Sequence, residues 1–295
     1  MFKKYILRIA NTHFRNNTIG LTRSFLALAT LTIILFNDLD SILSSSGFRF
    51  NFFSILDLTF AKFLSILILL IVIIGWKPRY TAIFHFWISF SLFDRILYPE
   101  GGDRITVILT FLLIPILLFD KRKSHWVNAP TTTEGQSFLQ QCSNIFNHFV
   151  HTTIRVQIGV IYFFSGISKP FLEETWIQGT AIYYYFSDPV FGYDGFQSGI
   201  IEFLLNTPVT LLMMTWGTIL FELSLAFCLV ASRKYYKYFL VAGITMHFSI
   251  FIIQGLSTFF LVMTGALIVY LGPKEGFLIN KMNWNPIQLL KRIKF

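Results

Sequence analysis

The chain has 295 residues, of which 54% are hydrophobic, 18% aromatic and only 13% charged, with 35 phenylalanines, a formal net charge of +9 and a mean hydropathy of +0.62. Apolar stretches recur along nearly the whole length, so there is no room for a sizeable soluble domain, and one all-α integral membrane unit over residues 1–295 is expected. A β-barrel is disfavoured because its strands would read as short alternating segments, and a nucleic-acid role because the lysines and arginines sit in loops and tails, where membrane topology accounts for them.

Residues Met1 to Asn17 carry Lys3, Lys4, Arg8 and Arg15, and the apolar run that follows lacks a small-residue cleavage site. It therefore reads as a retained first span, Ile19 to Phe36, not a removed signal peptide. A polar, serine-rich stretch with Asp38, Asp40 and Arg49 precedes a second span, Phe60 to Trp76. Lys77-Pro-Arg-Tyr80 turns the chain into a short third segment, Thr81 to Phe93, which contains His85. The fourth span, Ile105 to Phe119, stops at Asp120-Lys-Arg-Lys123. Ser124 to Asn147, with Pro130 and a threonine run, reads as a surface loop or interfacial helix.

The fifth span, Phe149 to Ser168, opens with His151, Arg155 and Gln157, so its first face must meet protein or water, and it ends at Lys169. Pro170 to Pro208 is a long outer or re-entrant segment; irregular backbone at membrane depth is tolerated only where protein covers it or it lines a wet cavity. The sixth, seventh and eighth spans are read at Val209 to Ala231, Tyr238 to Ile253 and Thr258 to Leu271, with Gln254-Gly-Leu-Ser257 as a tight hairpin. The fold class is thus a polytopic bundle of about eight transmembrane helices.

Basic clusters at the amino terminus, Lys77/Arg79, Lys121 to Lys123, Arg233/Lys234/Lys237 and Lys281, Lys291, Arg292 and Lys294 alternate with neutral or acidic loops. The positive-inside rule then puts both termini in the cytoplasm and Lys169, Glu173, Glu174, Asp188 and Asp194 on the outer side, together with Pro99 to Arg104.

Lys169, Glu222, His247 and the Asp103/Arg104 pair are the polar groups that need partners. Removing an ammonium or a carboxylate from water costs several kcal/mol, on the order of the whole stability of a small domain, so ionisable residues within spans mark functional sites. Lys169 could instead snorkel to the headgroups, although its position opposite the basic clusters favours a site role. Glu222 must be protonated, paired with a cation or exposed to a hydrated cavity, unless it and His247 serve only to bond helix to helix. Cys142 lies in a connector and Cys228 in a span, so no disulfide is expected. Of the histidines, only His148 and His151 are three apart, no third ligand is evident, and no metal is expected.

The run Tyr162-Phe-Phe-Ser-Gly-Ile-Ser-Lys169, then Trp176-Ile-Gln-Gly179 leading to Tyr183 and Tyr184, then His247 and Phe259/Phe260, resembles the membrane domain of vitamin K-dependent gamma-carboxylases and the horizontally transferred transmembrane (HTTM) domain superfamily. Gly101-Gly-Asp103, the apolar run ending in Asp120-Lys-Arg-Lys123 and His125-Trp126, with Arg23 and Phe36-Asn-Asp38, is similar to a narrower branch, the sporulation-delaying protein B family. The resemblance implies that Lys169 is an amine base acting on reduced vitamin K or menaquinone, and that His247 holds or relays charge near the quinone ring. Tyr162, Trp176, Gly179, Tyr183, Tyr184, Glu222, Asp103 and Arg104 are the pocket candidates.

Ser168 stands where the carboxylases carry a second lysine, and their large extracytoplasmic domain has no counterpart after the last span, which argues against glutamate carboxylation. The narrower branch implies maturation of an exported toxin peptide together with a small partner protein. A quinol-using enzyme on another substrate, or a transporter or immunity-type binder gated by Lys169 and Glu222, are the alternatives.

Overall fold

The computed structural model describes residues 6–7, 9–10, 17–127, 137–189, 192 and 198–273. The terminal basic clusters, with Lys3, Lys4, Arg8, Arg15, Lys281, Lys291, Arg292 and Lys294, and also His13, Pro130 and Asp194, lie outside the described residues.

The described residues form helices and no strands, with two isolated antiparallel bridges, Leu43 to Ile96 and Trp76 to Ser124. The long helices are α1 (Asn17–Phe36), α2 (Leu58–Ile74), α3 (Pro78–Arg95), α4 (Gly101–Leu118), α5 (Phe138–Leu172), α6 (Pro208–Phe227), α7 (Tyr236–Gln254) and α8 (Ser257–Leu271). Among them α1, α4, α6 and the 310-extended α7 (Arg233–Gln254) are long and apolar enough to cross a membrane, while α2 and α8 are apolar but shorter.

Local chemistry sets the helix ends. The Asp57 carboxylate accepts from the Phe60 amide and opens α2, and Ser137 and Gln140 form a reciprocal capping box at α5. Proline stands at the first position of α3 and α6, where its missing N–H has no helical partner to lose. Gly75 (φ 82°) and Gly255 (φ 72°) close α2 and α7 in the left-handed conformation, which only glycine adopts without strain.

α8 is the hub, packed between α1, α4, α5 and α7, with Val262 through Leu271 all buried. A helix apolar all round is stable only when surrounded, and this one is enclosed by protein. Thr22 on α1 donates to the Gly265 carbonyl (3.0 Å), and Gly265 lets the two backbones approach. Conversely, α2, α5, α6 and α7 present rows of exposed phenylalanine, leucine and valine outward.

Backbone and side-chain hydrogen bonds gather the described basic segments at one end of the bundle. Trp76 bridges to Ser124 and the Lys77 amide donates to the Lys123 carbonyl (2.9 Å). His125 inserts against Gly20 and Gly75, so the Asp120–Val127 loop straps α1 to α2. Arg155 on α5 donates to the Tyr270 carbonyl (3.0 Å) and the Tyr236 hydroxyl (2.7 Å), which ties the start of α7 to the end of α8.

Two sequence readings are corrected. α5 starts at Phe138, absorbing the second half of the expected connector, because the Ser137/Gln140 box nucleates it there. It does not stop at Lys169: it runs to Leu172 with Pro170 in its last turn, where only the bond from residue 170 to the Gly166 carbonyl is lost. The expected long outer segment contains short helices at Glu174–Ile177, Ala181–Phe186 and Ser198–Asn206, which bury Trp176, Ile182, Phe186 and Leu205 against Ile219 of α6.

Candidate functional site

Because α5 continues through Lys169, Ser165 lies one turn back on the same face, within reach of the ammonium. Lys169 Nζ donates to the Ser165 hydroxyl (2.9 Å) and carbonyl (3.1 Å) and forms an ion pair with Glu222 Oε2 of α6. Ser165 Oγ in turn donates to Glu222 Oε1 (3.0 Å). Both carboxylate oxygens are therefore occupied, by one cation and one hydroxyl. The side chains are 19% and 10% exposed, enough burial for the charge-assisted contact to be stronger than a surface pair. The Trp176 ring lies under the ammonium, 5.3 Å from centroid to Nζ, and adds a cation–π contact.

A second polar pair reaches the same space through His247. Tyr162 Oη and His247 Nε2 are 3.1 Å apart, the Phe259 ring meets His247 edge-on at 5.3 Å, and His247 Nδ1 is buried without a partner among the described residues. Phe259 is set by the start of α4: Glu100 accepts from Thr258 (2.9 Å), and a Cβ on Gly102 would stand 3.2 Å from the Phe259 Cα.

Lys169, Ser165, Trp176, Glu222 and His247 line one cavity of about 780 Å3 between α5, α6, α7 and the short helices; its remaining walls are mostly apolar, with Met213, Met214 and Met246 among them. That volume suits a small molecule or a few peptide side chains, and a methionine-rich wall adapts to ligand shape. Lys169 and Glu222 neutralise each other and Asp188 adds an acidic side chain to the wall, so the arrangement can orient an amphipathic ligand through hydrogen bonds at two points, Lys169/Glu222 and His247.

Lys169, Glu222, Trp176 and His247, singled out from sequence, thus meet in one cavity, and Tyr162 joins through His247. Tyr183 and Tyr184 do not line it; Tyr185 does, at the cavity's rim, since it is itself 42% exposed. The Tyr185 hydroxyl donates to Glu173 (3.3 Å), and burial with that carboxylate beside it holds the phenol above its usual range. Gly179 (φ 75°) forms a turn against Leu212. Asp103 and Arg104 lie apart from the cavity: Asp103 accepts from the Glu100 amide (2.8 Å) as part of the α4 cap, and Arg104 is exposed. Ser165 was missed by sequence reading, although its spacing of four from Lys169 would have marked it once α5 was known to pass through Lys169. The cavity methionines left no sequence signal, since methionine in a span reads as core.

No protein-family profile matches the chain, and no solved structure matches it. Among curated proteins, the chain is 32% identical over 287 residues to the uncharacterized protein YitO of Bacillus subtilis (strain 168), covering 91% of each. It is also 34% identical over 281 residues to sporulation-delaying protein SdpB of the same organism, covering 91% of this chain and 84% of that one. Identity of this order across nearly the whole of both chains, together with a helical, strongly apolar structure, shows that this is a membrane-type protein belonging to the sporulation-delaying protein B family.

Proposed function

We propose that the chain is a single-domain, multi-pass protein of the bacterial cell membrane, with about eight spans and both termini cytoplasmic, that serves the maturation of an exported antimicrobial peptide of the sporulation-delaying type. It does so on the extracytoplasmic side, with a small partner protein of the same system. The observation that carries the proposal is the cavity, which joins an apolar, adaptable wall to the Lys169–Ser165–Glu222 cluster at the end of the bundle opposite the described basic segments. An exported peptide with an apolar segment and exposed amide groups would find complementary contacts there. The kinship with sporulation-delaying protein SdpB supports the same system. Mass spectrometry of the candidate peptide from cells carrying the wild type, the deletion, Lys169→Met and Glu222→Gln tests it. Loss of the mature mass in the deletion and in Lys169→Met is expected; an unchanged mature peptide in the deletion overturns the proposal.

The unpartnered Nδ1 of His247 favours one second reading, the quinol-dependent enzyme implied by the wider carboxylase resemblance. In it His247 and Lys169 would hold the ring oxygens of a reduced vitamin K or menaquinone. As the structure stands, Lys169 is an ion-paired binding group, and acting as a base requires its release from Glu222. Quinone depletion separates the readings: it stops the reaction on the other substrate under the second and leaves peptide maturation intact under the first.

A further inference from the structure

A second buried polar space lies between α1, α3 and α4, away from the Lys169 cavity. It measures about 10 Å3 and is lined on its polar side by Thr30, Ser89, Asp103 and Thr106. That is room for a single water or one ion stripped of its hydration shell. The direction of the hydrogen bonds around it decides between the two. Thr30 Oγ1 donates its proton to the Leu26 carbonyl (3.2 Å), and Thr106 Oγ1 donates to the Gly102 carbonyl (2.9 Å). Ser89 Oγ is 3.3 Å from Thr30 Oγ1, whose proton is already committed, so Ser89 is the donor in that contact. The Asp103 carboxylate is an acceptor and takes the Glu100 amide on Oδ2.

Each side-chain oxygen on this wall therefore has its proton turned away and offers lone pairs alone. A water would find acceptors for its two protons and no donor for its oxygen. A cation needs only lone pairs. Charge points the same way: Asp103 forms no ion pair among the described residues, and the neighbouring Arg104 side chain is exposed. Asp103 is half-buried; a partly desolvated carboxylate without a counter-charge is costly, and a bound cation removes that cost. One carboxylate with three hydroxyls suits a monovalent ion; calcium sites collect more ligands and more carboxylate charge.

We propose that Thr30, Ser89, Asp103 and Thr106 form a site for a small monovalent cation of the sodium class, which clamps α1, α3 and α4 together. A site made of hydroxyls from three helices leaves no spacing in the sequence for a ligand motif to register.

The test is thermal unfolding of the full chain in detergent, in sodium, potassium or choline chloride at equal concentration. Sodium is expected to raise Tm saturably by several degrees, potassium less and choline not at all. Asp103→Asn keeps an acceptor for the Glu100 amide while removing the charge, and is expected to abolish the sodium response. Ser89→Ala leaves the α4 cap untouched and is expected to raise the sodium concentration at half-effect at least about tenfold, on the loss of one ligand oxygen. Should Asp103→Asn not fold, direct binding of radioactive sodium to the wild type and Ser89→Ala decides. A wild type with the same Tm in sodium and choline overturns the proposal, as does a sodium response that both variants retain; a site that holds only water gives the first of these.

Discussion

Lys169 and Arg23 are both cations inside the helical bundle, and they are held in opposite ways. Lys169 reaches a carboxylate, a hydroxyl and a carbonyl at the wall of an open cavity. Arg23 is 0% exposed, donates from Nη2 to Thr81 (2.6 Å), and has no partner for Nε and Nη1 among the described residues. The nearby carboxylate, Asp120, is already engaged by Arg122 through both oxygens. The lysine is thus part of a balanced, solvent-adjacent cluster that a ligand could enter, whereas the guanidinium is locked in packed protein. A cation with its own counter-charge next to empty space is built for exchange of partners; a cation enclosed by packing serves the fold.

The largest expected effect separates the two directly. Lys169→Met leaves Glu222 buried without its cation and should destabilise the protein by about 3 kcal/mol, most of it recovered in the double variant with Glu222→Leu. Arg23→Met removes a charge that has no contacting carboxylate and should cost only about 1 kcal/mol, the worth of the Thr81 bond. Denaturation of the four proteins in the same detergent measures both. Equal costs for the two single variants would erase the distinction.

Smaller effects test how tightly the Arg23 end is packed. A Cβ on Gly75 would enter the His125 ring and also force a left-handed backbone on alanine, so Gly75→Ala should cost about 2 kcal/mol or more. Gly255 shares the conformation but faces open space, so Gly255→Ala should cost only the backbone part, about 1 kcal/mol. A thermal melt of each variant distinguishes a packed loop from a loose one.

The last test is pH. Burial, with Arg23, Arg122 and His85 beside it, holds the His125 imidazole well below its usual range. Its folded form is neutral and the unfolded chain takes up the proton below about pH 6.5, so this contribution is complete above that pH and is lost as pH falls beneath it. The slope should be at most about 1.4 kcal/mol per pH unit, and stability profiles of the wild type and His125→Gln should diverge only below that pH.

The helices were legible because apolar run length and turn residues are local signals: Ile19 to Phe36 anticipates α1 almost to the residue, and Thr258 to Leu271 anticipates α8. The end of α5 was less so, since a proline after Lys169 reads as a stop unless the final turn is known to tolerate it. Lys169, Glu222 and His247 were legible as polar exceptions in apolar sequence. That Tyr185 replaces Tyr183 and Tyr184 at the cavity was not, because three consecutive tyrosines on a helix of six residues look alike until its rotation is set by Trp176 and Ile182 packing on α6.

The sequence by itself determined that this is a helical, membrane-type chain, where most of its helices run and which ionisable groups need partners. These follow from composition and short-range pattern, in which the cost of burying backbone and charge is written residue by residue. Only the tertiary structure decided which groups meet. Lys169 and Glu222 are 53 positions apart, Tyr162 and His247 are 85 apart, and Thr30, Ser89 and Asp103 come from three helices. Their juxtaposition depends on helix rotation and close approach around α8, which is set by packing of whole faces and not by any local run of residues.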